Sequence, residues 1–97
     1  MTLPKTVKVG GKAIRVVVEP ELDDWGSYHS DDAVIKISSK CIGRDKLTTD
    51  TLRHEMIHAA FDVAGLSYLE RFEEESVVRC LDTVFFPAWS KVEKILL

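Results

Sequence analysis

Thr51-Leu52-Arg53-His54-Glu55-Met56-Ile57-His58-Ala59-Ala60-Phe61 sits in a run whose apolar residues recur as they do on a helix. Leu52, Met56, Ile57, Ala59, Ala60, Phe61, Val63 and Ala64 supply that pattern. On a helix, positions four apart lie one turn above each other on one face. His54 and His58 therefore aim their imidazoles at one spot. Two imidazoles at this spacing supply two of the three protein ligands of a catalytic zinc. Glu55 follows the first of them, where its carboxylate can lean over a water on the metal, the place of a general base. The chain has three histidines, and two of them flank this glutamate at ligand spacing. A half-buried pair of imidazoles on an apolar helix needs partners, and a metal provides them. His29 lies outside the motif and is read as a non-ligand.

Thr48 or Thr49 is expected to cap this helix, with Asp50 in its first turn and Gly65 just past its end. Toward the N-terminus the pattern changes to strands. Thr6 to Val9, Gly10-Gly11 and Lys12 to Glu19 read as a hairpin with a Gly-Gly turn, and Pro20 ends it. Glu21 to Asp32 is polar and reads as a loop or strand approach; Ala33 to Ser38 reads as a further strand. That last strand, just before the helix, is expected to form a sheet edge beside the metal. An extended peptide can add to such an edge through main-chain hydrogen bonds.

After Gly65 a linker, Leu66 to Leu69, leads to a helix expected over about Glu70 to Phe86, interrupted by Pro87. Its start carries Glu70, Glu73, Glu74 and Glu75, the donors for a third ligand. Val77, Val78, Leu81, Val84 and Phe85 form its apolar face, and Glu74 continues that stripe. Glu74 is the expected ligand. Glu75 is the alternative, because small Ser76 and Cys80 beside it permit close helix approach. Asp82 and Asp50 are candidates to hold a ligand imidazole through its other nitrogen. Arg79, Tyr68, Tyr28 and His29 are candidates to stabilise an oxyanion. Trp89 to Leu96 reads as a terminal helix packing through Trp89, Val92, Ile95 and Leu96.

The 97 residues make one domain, 1–97, in which strands precede helices, an α+β order. So small a core gains from a bound metal. A net charge of -3 offers no basic stripe for nucleic acid. No apolar run approaches a membrane span, and Met1 to Lys5 lacks a secretory core, so a cytoplasmic protein is expected. Cys41 and Cys80 are far apart and read as free thiols.

The chain resembles small single-domain zinc metallopeptidases of the gluzincin type. The resemblance lies in Thr51-Leu52-Arg53-His54-Glu55-Met56-Ile57-His58-Ala59 and in the later Glu73-Glu74-Glu75-Ser76-Val77-Val78. It is also similar to the peptidase domain of the ImmA/IrrE group and to short metallopeptidases encoded by phages and prophages. This implies a short, twisted antiparallel sheet of about three strands over an active-site helix and a glutamate-bearing helix. It also implies zinc, held by His54, His58 and one of the clustered glutamates, and hydrolysis of a peptide or protein substrate with Glu55 as base. For a phage-encoded chain the compartment is the host cytoplasm. The alternative expectation is a zinc-stabilised protein-binding module without catalysis, such as a phage or prophage regulator. A hydrolase of some other amide is a third.

Overall fold

The order of the elements follows from the change in hydrophobic period along the chain. The computed structural model describes residues 2–66 and 70–96. It has strands β1 (Thr6–Val9), β2 (Lys12–Glu19), β3 (Gly26–His29) and β4 (Val34–Ser38), then helices α1 (Asp45–Val63), α2 (Arg71–Cys80) and α3 (Phe86–Leu96). The fold is α+β, with a four-stranded mixed sheet. The chain divides into two units, Met1–Ser67 and Tyr68–Leu97.

In the first unit β1 and β2 form the expected hairpin, with Thr6 opposite Arg15 and Val9 opposite Lys12. Gly10 and Gly11 have φ of 56° and 84°. Two successive positive φ angles are what a two-residue hairpin turn of type I′ requires. β4 lies parallel to β2, from Arg15 opposite Val34 to Glu19 opposite Ser38. β3 is antiparallel to β4, from Gly26 opposite Ile37 to His29 opposite Val34.

The order β1-β2-β4-β3 corrects the expected sheet in two respects. A fourth strand, β3, emerges from the polar Glu21–Asp32 stretch, where a short Gly-Ser-Tyr-His sequence gave no apolar alternation. The sheet is also mixed. β3 takes the outer place, so β4 enters beside β2 in the same direction. Consequently β4 is interior, and β1 and β3 are the edge strands.

Ile14, Ile35, Ile37, Cys41 and Ala59 form the buried cluster of this unit, ringed by Val7, Val16, Tyr28, Leu52 and Met56. Alternate residues of β2 and β4 thus face α1. Ile35 is fully buried on the interior strand. Ile35→Ala is expected to lower stability by about 2–5 kcal/mol, read as a lower urea midpoint.

α1 begins at Asp45, earlier than the expected threonine caps. Thr48 lies inside the helix, and its hydroxyl donates to the Cys41 carbonyl at 2.6 Å. Asp45 instead places an acid in the first turn, where the helix dipole favours it. The far end stops at Gly65 as expected. Gly65 has φ 79°; its N–H donates to the Asp62 carbonyl and that of Leu66 to the Phe61 carbonyl. This bond pair is the Schellman termination.

In the second unit, Pro87 does not end the helical run. A π-helical turn, Leu81–Phe85, joins α2 to α3, and Pro87 is the second residue of α3. The widened turn before it takes up the proline ring. The expected apolar stripe is largely solvated. Val78 is buried, while Val77, Val84, Phe85, Trp89 and Val92 are exposed, and Ile95 reaches 83%. The packing role expected of Trp89, Val92, Ile95 and Leu96 is therefore corrected. Cys41 is buried and Cys80 exposed, and both are free. No helix among the described residues is long and apolar enough to cross a membrane.

Candidate metal centre

The 3.6-residue period of α1 sets its two histidines side by side. The His54 and His58 ring centroids are 5.0 Å apart, with the planes inclined at 62°. A ligand nitrogen of one lies within 4.8 Å of a ligand nitrogen of the other. Bonds of 2.0–2.1 Å to a tetrahedral zinc put two nitrogens about 3.4 Å apart, so a modest side-chain rotation closes the pair onto an ion. Both imidazoles are half-buried.

Glu55 lies on a different side of the helix. With Thr48, Thr51 and Ala59 it belongs to the buried stripe, and it is 7% exposed. A carboxylate so placed is shielded from bulk water yet adjacent in sequence to a ligand.

On α2, Glu73 is exposed, and Glu74 and Glu75 are half-buried. Among the described residues, His54, His58 and Glu75 form a group able to hold a metal ion, with one ligand atom from each. Two imidazoles and a carboxylate are the donor set of a class of catalytic zinc sites. The group takes its carboxylate from Glu75, the alternative read from the sequence, and Glu74 is not in it.

Three of the candidate supporting residues, Tyr28, Asp50 and His29, have partners of their own. Tyr28 is not free to meet an oxyanion, because its hydroxyl donates to Asp62 Oδ2 at 2.7 Å. Lys12 Nζ also approaches that oxygen, at 3.8 Å. Asp50 faces Lys46 at 2.9 Å and Arg53 at 3.9 Å on the surface. His29 Nε2 shares a hydrogen bond of 2.9 Å with Ser27 Oγ along the strand. Arg79 is exposed on α2, and Asp82 lies in the π-helical turn. Tyr68 lies outside the described residues.

The sequence pattern alone does not single out Asp62 as the partner of Tyr28. Asp62 stands four residues after His58 and so continues the histidine face, a signal that was available. Its partner Tyr28 is distant in sequence, and nothing local announces the pair.

The Tyr28 phenol is pushed up from 10.0 to about 12, first by burial, then by the hydrogen bond to Asp62 and by its negative charge. A raised folded-state pKa favours the protonated phenol in the native protein. The resulting stabilisation is complete below about pH 10 and is lost as pH rises through 12. Tyr28→Phe is expected to cost about 1–2 kcal/mol at neutral pH and to flatten the stability profile between pH 10 and 12. Urea titrations at a series of pH values check this.

No protein family, curated protein or solved structure matches the chain.

Proposed function

We propose that the protein is a zinc-dependent peptidase of the gluzincin kind, akin to ImmA/IrrE-like and phage-encoded enzymes. His54, His58 and Glu75 are its ligands and Glu55 is its general base. The observation that carries this reading is the imidazole pair at 5.0 Å on the same helix as the buried Glu55. The donors suit zinc, since two neutral imidazoles and one carboxylate leave a fourth position open.

Zinc bound there would polarise a scissile carbonyl and acidify a water molecule. Glu55 would take a proton from the attacking water and deliver it to the departing amine. Its low exposure keeps the proton from bulk solvent between the two transfers. The backbone of α1 holds the spacing of His54 and His58. β3 is one of the two edge strands of the sheet and the one that pairs with β4, so its outer edge could take an extended peptide. Two free thiols suit action in the cytoplasm.

The test is cobalt substitution. One cobalt per chain, with a visible spectrum that changes on adding acetohydroxamate, is expected of an open site. Protein that takes up no metal ends the proposal.

One observation favours a second reading, a zinc-stabilised module that binds another protein without catalysis. α3 exposes Trp89, Val92, Ile95 and Leu96. A cobalt spectrum unmoved by hydroxamate, with no hydrolysis of any peptide, decides for that module.

A further inference from the structure

We infer that Gly26 is a positioning residue for Glu55: its missing side chain is the space that lets the edge strand lie against Glu55 and fixes where that carboxylate stands. The catalytic consequence rests on the proposed role of Glu55; the steric claim does not.

Gly26 differs from the turn glycines. Gly11, Gly43 and Gly65 have positive φ, and nothing lies within 4 Å of where a Cβ would sit. They are glycines for conformation. Gly26 is not among the positive-φ residues and pairs in the sheet opposite Ile37. Any residue can adopt its backbone, so space is the reason for glycine here.

A Cβ at position 26 would stand 2.7 Å from Thr51 Cγ2, 3.2 Å from Glu55 Cγ and 3.2 Å from the Lys36 carbonyl oxygen. These three walls do not yield equally. The Lys36 carbonyl belongs to the interior strand β4 and is held by the sheet. The strand cannot retreat easily, because the Trp25 carbonyl accepts from the Ser38 N–H at 2.8 Å. Thr51 is β-branched on a helix and has a stiff first torsion. Its hydroxyl lies 3.9 Å from the buried Cys41 thiol, with its methyl turned to Gly26. Thr51 makes the closest contact and must shift, and Glu55, with three side-chain torsions, is the most adjustable of the three walls. A methyl group at position 26 thus displaces the Glu55 stem and carries the carboxylate with it. At 3.2 Å the stem must give by a few tenths of an ångström, and a positioned reaction is sensitive to where its groups stand.

The experiment compares wild type, Gly26→Ala, Gly26→Ala/Thr51→Ser and Glu55→Gln, each loaded with cobalt. Acetohydroxamate is the probe, because it binds a metal through its oxygens and shares its proton with a carboxylate beside it. Gly26→Ala is expected to keep one cobalt per chain, to lose about 5 °C or more in Tm, and to bind acetohydroxamate about tenfold more weakly, approaching Glu55→Gln. Adding Thr51→Ser removes the 2.7 Å contact and is expected to recover part of the lost Tm while leaving the weak hydroxamate binding, since the Glu55 contact remains.

Wild-type hydroxamate affinity in cobalt-loaded Gly26→Ala overturns the inference. If Gly26→Ala does not fold, the double variant is read in its place, and failure of both to fold also overturns it. If wild type takes up no cobalt, the peptidase proposal fails separately, and the steric claim is decided by thermal melts. The Tm loss of Gly26→Ala should then shrink by at least half in a Glu55→Ala background, and additive losses refute it.

Discussion

His58→Ala is expected to weaken zinc binding by about three orders of magnitude, or about 4 kcal/mol. The magnitude follows from the donor count. With His58 gone the metal keeps one imidazole and one carboxylate, too few to compete with water and buffer for a tetrahedral ion. The helix should survive the change, because His58 is half-buried and outside the cluster of Ile14, Ile35, Ile37, Cys41 and Ala59. Competition against a chromophoric chelator measures the affinity. Zinc should raise the Tm of wild type and leave that of the variant unmoved. Retention of one tightly held zinc by His58→Ala would remove the imidazole pair from the site. Glu75→Ala and Glu74→Ala complete the comparison. The first is expected to lose most of the affinity and the second little, and the reverse result would make Glu74 the ligand.

Glu55→Gln is expected to leave metal content intact and to lower peptide hydrolysis by about 10²- to 10⁴-fold. Glutamine nearly matches glutamate in volume, so the buried slot occupied at 7% exposure stays filled. What disappears is the ability to take and return a proton. The measurement is kcat/KM on a mixture of unstructured peptides, with zinc content determined on the same sample. An unchanged rate at full zinc occupancy would show that Glu55 is not the base.

The helix and its histidines were legible because their signals are local. Spacing of four residues, an apolar run and a glycine stop all act within one turn of the chain, and they set His54, Glu55 and His58 on α1. The β1–β2 hairpin was legible for the same reason, through Gly10-Gly11. What was not legible depends on partners far away in sequence. β3 is a strand because β4 offers it an edge, and its own four residues carry no alternation. The parallel pairing of β2 with β4 was hidden because it depends on where β3 goes. The start of α1 was placed late because Thr48 has a helix-capping side chain, yet its hydroxyl is used by the Cys41 carbonyl. In the second unit Pro87 suggested a break, whereas a π-helical turn takes up the misfit. The choice among adjacent glutamates was open because an apolar stripe is a poor guide on a helix whose stripe is mostly solvated.

The parallel joint between β2 and β4 also orders events during folding. β1 with β2, and β3 with β4, are each arches that close over a handful of residues and assemble early. The seam between the two arches unites segments farther apart along the chain, so within the sheet it carries the largest loop-closure penalty and is expected to form last. Until it does, the sheet against which α1 packs is incomplete, and His54 and His58 ride on a helix without its support.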